Sequence, residues 1–343
     1  MAVQDVLGGS LAWVADPAPG PSKLLAYRHP DVPNLGDITA VDWSTVEPVD
    51  IITGGSPCQD LSTAGRRAGM TDGTRSNLWV QMREAINVIR PKLVVWENVR
   101  GALSASAASA VESEPRLLGD RPRGPALRAI GRVVGDLADL GYVGGWIGLR
   151  VADLGGCHGR FRVFLGARPA DADGLGLDGR RGARYPLTLL PTPTTTQRGT
   201  DANLDTREGA RANLHNTVMG LLPTPSVADA AGGHERRGGK RGDELLLKGL
   251  AKHGHLDRFG TYAPAIASHE RLAGRPAPDP TEPGPSGKPR LSARFVEWMQ
   301  CLPDGWVADV PGLSRSEQLA LLGNGVVPPQ AAAALRHLLE RAA

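Results

Sequence analysis

Apolar and polar positions fall into blocks along the first half of this chain, and the period changes from block to block. Val49-Asp50-Ile51-Ile52-Thr53-Gly54-Gly55 and Lys92-Leu93-Val94-Val95-Trp96 are short apolar runs of the length expected for buried strands. Between them, within Thr74 to Arg90, residues Leu78, Met82, Ala85, Ile86 and Ile89 recur at helical spacing. The pattern predicts a strand–helix–strand unit. A crossover helix makes its two strands parallel and brings both strand ends to one edge of the sheet. Further on, Leu127, Ile130, Val133, Val134, Leu137 and Leu140 predict an amphipathic helix ended by Gly141. Strands are then expected over Trp146 to Ala152 and Arg162 to Ala167. The fold class these elements imply is α/β, a doubly wound and mainly parallel sheet.

Periodicity fades at about Arg168. From 168 to 290 the chain is rich in Gly, Pro, Arg and Thr, with Lys and Arg exceeding Asp and Glu by 18 to 14. Leu189-Leu190-Pro191-Thr192-Pro193-Thr194 is echoed by Leu221-Leu222-Pro223-Thr224-Pro225-Ser226, and two copies are too few for a solenoid. Arg236, Arg237, Lys240 and Arg241 cluster among glycines. Such a loop either tracks phosphates or is a solvated surface. Helical pattern returns over Leu291 to Met299, Ser314 to Leu322, and from Pro328-Pro329 to the C-terminus. The economical division is one catalytic domain over 1–167, an inserted irregular module over 168–290, and a return to the catalytic domain over 291–343.

Bulk properties narrow the class without naming it. No apolar run reaches membrane-spanning length, and the start lacks the charged-then-apolar pattern of a secretory leader. Three cysteines, Cys58, Cys157 and Cys301, lie far apart, which argues against a disulfide scaffold and for a reducing cytoplasm. The net charge of +3 neither requires nor excludes a polyanionic partner.

The chemistry sits where the strands end. Pro57-Cys58-Gln59 follows the first run through a Gly-Gly-Ser turn, where backbone approaches a ligand closely. Glu97-Asn98-Val99 closes the second run, and four apolar residues before Glu97 predict partial burial, which favours the protonated carboxyl. A thiol and an acid at neighbouring strand tips suit nucleophilic attack with acid assistance. In Cys157-His158-Gly159-Arg160-Phe161-Arg162, alternation puts both guanidinium groups on one side of an extended segment. Gly323-Asn324-Gly325-Val326 reads as a tight turn into the last helix.

These four elements, in this order, resemble the DNA (cytosine-5) methyltransferase family. The resemblance covers about 13–167 and 290–343, and it is nearest to bacteriophage and actinobacterial members through Asp31-Val32-Pro33-Asn34-Leu35-Gly36-Asp37-Ile38 and the Leu-Pro-Thr-Pro segments. It implies a Rossmann-like methyltransferase sheet with an inserted target-recognition region, S-adenosyl-L-methionine as cofactor and double-stranded DNA as partner. A monomer with no metal and no membrane partner is expected. The resemblance makes Cys58 the nucleophile at C6 of a flipped cytosine, Glu97 the acid at N3, Arg162 the contact to O2 and Arg160 its support. Cofactor contacts carry over to Asp16, Asp37, Ile38, Pro57, Leu78, Asn324 and Val326. DNA contacts fall to Gln59 and Ser62, with the cluster Arg236, Arg237, Lys240 and Arg241 beside them.

The sequence also departs from the pattern. No strand with a Phe-x-Gly-x-Gly-Gly turn precedes Trp13, so the expectation is a sheet shown without its first strand and a true start upstream of Met1. His158 stands where Gln is common, Cys157 where Pro is usual, and Ala18 where an acid often follows Asp16. The alternatives are a methyltransferase-like DNA-binding protein without activity and an RNA cytosine-5 methyltransferase. No second cysteine lies near Cys58, which favours DNA over RNA. A thiol hydrolase would need a histidine signature that is absent.

Overall fold

The computed structural model describes residues 1–55, 78–105, 128–171, 220–230, 235–236 and 245–342. Helices α1 (Ala2–Leu7) and α2 (Pro19–Arg28) precede strand β1 (Ile51–Gly54), helix α3 (Trp79–Ile89) and strand β2 (Leu93–Val99). Helix α4 (Ala129–Asp139) leads into β3 (Tyr142–Arg150) and β4 (Phe161–Pro169). The four strands form one sheet in the order β1-β2-β4-β3. Strands β1 and β2 are parallel, with Ile51 opposite Leu93 and Gly54 opposite Trp96. The strand–helix–strand unit therefore has the layout its periodicity predicts.

The sheet is mixed, which corrects the expectation of a mainly parallel one. Among the described residues only β1·β2 is parallel, while β4 runs antiparallel to both β2 and β3. The reason lies in the connection. Residues 151–160 hold one short 3₁₀ turn, Val151–Leu154, and a parallel return needs a crossover of a dozen or more residues.

Strand residues alternate between two covered faces. Val94, Trp96, Val163 and Leu165 face Trp79, Ile86, Val133 and Leu137 of α3 and α4. On the other face, Leu93, Leu149 and Phe164 meet Val6 of α1 and Leu335 and Leu338 of the last helix. Cover on both faces is why the strands read as continuous apolar runs.

Regular structure also occurs where the sequence showed none. Helices α5 (Leu247–Lys252) and α6 (Ala263–Ala273) and the hairpin of β5 (Thr281–Pro283) and β6 (Pro289–Leu291) all lie in the irregular stretch. Helices α7 (Ala293–Met299), α8 (Arg315–Asn324) and α9 (Pro328–Ala342) follow. Leu247, Leu250, Leu256 and Ile266 share a second core with Phe295, Trp298, Leu319 and Leu322. Helix α9 is the element that returns to the catalytic sheet. Among the described residues no helix is long and apolar enough to cross a membrane.

Candidate active site

Strand register brings the acid and the arginine together. Glu97 lies opposite Phe164, and Val99 lies opposite Arg162. Glu97 and Arg162 are therefore diagonal neighbours on one sheet face, within reach of long side chains. Arg162 Nε is 2.8 Å from Glu97 Oε1, and the two side chains are only 14% and 23% exposed. Burial raises the Glu97 carboxyl above its ordinary value, against the opposing pull of Arg162 and Arg160. The site thus holds a carboxyl raised by burial, beside a cation fixed by the same sheet.

The loop leading to Cys58 passes directly over this carboxyl. A side chain on Gly55 would bring its Cβ within 2.7 Å of the Glu97 carbonyl oxygen and 3.3 Å of Oε2. Only glycine permits so close an approach. Pro57, Cys58, Gln59 and Ser62 lie outside the described residues. Covalent geometry still bounds the thiol, because three residues beyond Gly55 span at most about 11 Å.

Arg160 does a different job from Arg162. It precedes β4, is 2% exposed, and sends Nη1 to the carbonyls of Gly323 at 3.1 Å and Pro225 at 3.3 Å. Its Nη2 donates to the Asn324 carbonyl at 3.4 Å and to the Gly325 carbonyl. One guanidinium thus ties β4 to the end of α8 and to the second Leu-Pro-Thr-Pro segment. That segment runs beside Cys157 and His158, with Leu222 N donating to the Cys157 carbonyl at 2.8 Å. Gly323 and Asn324 are the last residues of α8, so the expected turn begins later, at Gly325. Arg160→Ala would strand several buried carbonyls and is expected to cost about 3 kcal/mol. Urea denaturation measures this, and a loss below about 1 kcal/mol contradicts the role.

Buried polar groups missed in the sequence brace the same region. Glu297 is fully buried and accepts hydrogen bonds from the backbone N–H groups of Gly305, Val307 and Ala308. His158 Nε2 bonds the Met299 carbonyl at 2.9 Å, and His269 Nε2 bonds the Trp298 carbonyl at 3.0 Å. The Nδ1 atoms accept from Arg160 N and Cys157 N respectively. Each imidazole is therefore a neutral tautomer with its proton on Nε2. A Glu among Phe295, Val296, Trp298 and Met299 was the one legible signal, a charge on an otherwise apolar stretch of helix.

The remaining expected residues occupy two places. Asp16 and the Asp37-Ile38 pair follow a short parallel pairing of Val14 with Asn34. Asp16 Oδ1 accepts from Ala18 N at 2.9 Å, and its other oxygen carries no hydrogen bond among the described residues. Thr39 donates twice to Asp37 and holds that carboxyl below its ordinary value. Leu78 caps α3, and Val326 packs against the cluster of Leu149, Phe164, Ala334 and Leu338. Helix α2, which follows Asp16, is joined to α8, whose last residue is Asn324, by the Lys23–Glu317 pair at 3.0 Å. An available carboxylate oxygen beside a half-buried isoleucine fits a nucleoside, whose ribose hydroxyls need an acceptor and whose base needs an apolar neighbour. Arg236 pairs through its backbone with Leu245, whereas Arg237, Lys240 and Arg241 lie outside the described residues.

A mixed sheet covered by helices on both faces defines an α/β fold. Residues 8–175, about half of the chain, match the family model of C-5 cytosine-specific DNA methylases. It is 38% identical over 136 residues to the DNA N-6-adenine-methyltransferase of Escherichia phage P1, covering 34% of this chain and 18% of that protein. It is 29% identical over 147 residues to the type II methyltransferase M.NlaIV of Neisseria lactamica, covering 43% and 32%. Similarity to the type II methyltransferase M.NaeI of Lentzea aerocolonigenes is 27% identity over 314 residues, covering 88% and 62%. The chain spans less than two thirds of the length of each of these relatives.

Proposed function

We propose that this chain methylates C5 of cytosine in double-stranded DNA, within a short recognition sequence, using Cys58 as nucleophile. The observation that supports the reading is the largely buried Glu97–Arg162 pair with Gly55 packed against it, since Cys58 follows Gly55 by three residues in the sequence. Cytosine C5 is too poor a nucleophile to react unaided. Addition of the Cys58 thiolate to C6, with a proton from Glu97 held at N3, turns C5 into the electron-rich carbon of an enamine. Arg162 holds the base at O2, and Arg160 keeps that strand end in place. After the methyl group is gained, C5 loses its proton, the C6–S bond breaks, and N3 returns its proton to Glu97. The base has to leave the duplex to reach this pocket.

S-adenosyl-L-methionine, when bound, supplies the electrophilic methyl group. Asp16 would hold its ribose hydroxyls and Asp37 and Ile38 its adenine, with Pro57, Leu78, Asn324 and Val326 completing the contacts. Residues 168–290 form the target-recognition region in this reading. Arg236, Arg237, Lys240 and Arg241 lie on its phosphate-facing loop, and Gln59 and Ser62 lie on the loop that closes over DNA.

The phage P1 relative bears an adenine-N6 name, which raises a second reading. Methylation of an exocyclic amine proceeds by direct attack of the nitrogen and has no use for a thiol or for an acid at N3. The Cys58 and Glu97 pairing therefore supports cytosine. Bisulfite sequencing of DNA from cells expressing the protein tests this. Protected cytosines at one short sequence are expected, and adenine methylation without protected cytosines would overturn the reading.

A further inference from the structure

We infer that Asn34 is a positioning residue for cofactor binding, fixing the carboxylate of Asp16 against the loop of Asp37 and Ile38. The inference rests on the function proposed above and adds to it a residue outside the inherited contact set.

Two segments of the chain meet only briefly at Val14. Val14 and the Pro33–Leu35 segment pair through Val14 N to the Pro33 carbonyl at 3.0 Å and Leu35 N to the Val14 carbonyl at 2.7 Å. Among the described residues no further main-chain rung joins these two segments beyond Val14. The Asn34 side chain supplies the missing rung. Its Oδ1 accepts from Asp16 N at 3.0 Å, and its Nδ2 donates to the Asp16 carbonyl at 2.9 Å. A carboxamide engaging both main-chain groups of one residue copies what a neighbouring strand would do.

The same amide reaches both loops. Oδ1 also accepts from Gly36 N at 3.1 Å, where Gly36 takes a left-handed φ of 72° just before Asp37. Nδ2 also contacts Ser22 Oγ at 3.3 Å, and Ser22 Oγ donates to the Asp16 carbonyl at 3.1 Å. Asn34 is exposed, so burial does not explain its set of bonds. What the set achieves is geometric: one amide holds the Asp16 main chain to the Gly36 main chain, which leads into Asp37 and Ile38. Aspartate at this position would keep the acceptor but replace the donor with a second carboxylate facing the Asp16 carbonyl.

The test is calorimetric titration with S-adenosylhomocysteine and with its 2′,3′-dideoxyribose analogue, which lacks the hydroxyls Asp16 would hold. Asn34→Ala and Asn34→Asp are each expected to weaken S-adenosylhomocysteine by about tenfold or more, the equivalent of about 1.4 kcal/mol. Affinity for the dideoxy analogue is expected to change by less than about twofold, because its binding does not use Asp16. A merely structural defect would weaken both ligands alike, and that result, or unchanged affinity for both, overturns the inference. If the unsubstituted protein binds neither ligand while remaining folded, the cofactor reading itself fails and the inference falls with it.

Discussion

Cys58→Ala is expected to abolish methyl transfer while leaving DNA binding within a fewfold of the unsubstituted protein. No other group in the proposed mechanism can add to C6, so the loss should exceed about 10³-fold, the scale on which covalent and acid–base assistance act. Glu97→Gln should fall nearly as far. The amide keeps the shape and the contact with Arg162 Nε, but it cannot deliver a proton to N3. The two variants separate the roles: both should retain affinity for duplex DNA in a filter-binding or anisotropy measurement. A Cys58→Ala protein with more than a tenth of normal activity would remove Cys58 from the mechanism.

Acid should unfold this protein at an unusually high pH, through His158 and His269. Burial is the largest cause lowering both, to about 3 for His158 and about 4 for His269, against an ordinary value of 6.5. Their folded values are depressed, so the folded chain resists protonation where the unfolded chain accepts it. The stability they contribute is complete above pH 6.5 and is lost as pH falls toward 3 to 4. The slope approaches about 1.4 kcal/mol per pH unit per histidine, giving a loss of about 3 kcal/mol between pH 6.5 and 5. That is a large part of a typical folding free energy. Buried Glu97, Glu297 and Asp229 are raised by burial and act in the opposite sense, holding their protons in the folded state. A variant comparison isolates the histidines. His158→Gln retains an N–H donor for the Met299 carbonyl and cannot ionise, so it should halve the loss of urea stability between pH 7 and 5. An equal loss in both proteins would contradict the assignment.

Much of this architecture was legible in the chain, for a stated reason in each part. The β1–α3–β2 unit, α4, and helices α7 to α9 announced themselves because one or both faces are buried and the periodicity is clean. Strand direction was not legible. Periodicity is the same for parallel and antiparallel neighbours, so it predicts the strands but not that β4 runs antiparallel to β2 and β3. Helix α6 and the β5–β6 hairpin were hidden by a composition of Gly, Pro and Arg. Their apolar residues, such as Ile266 and Leu291, are buried by a core assembled from distant segments. In the candidate site, Glu97 and Arg162 could be named from motif order, but their contact depends on the β2–β4 register. The partners of Arg160, His158, His269 and Glu297 could not be named at all, since Arg160 meets Gly323 across 163 residues of sequence.

The central claim is that a thiol and a proton-donating carboxyl converge on one cytosine. Tritium release from duplex DNA carrying [5-³H]deoxycytidine tests it most directly, because addition of the thiolate at C6 lets C5 exchange its hydrogen with water even before a methyl group is supplied. Release is expected from the unsubstituted protein, none from Cys58→Ala and a severe reduction in Glu97→Gln. Equal release by Cys58→Ala, or none from a folded, DNA-bound unsubstituted protein, would contradict it.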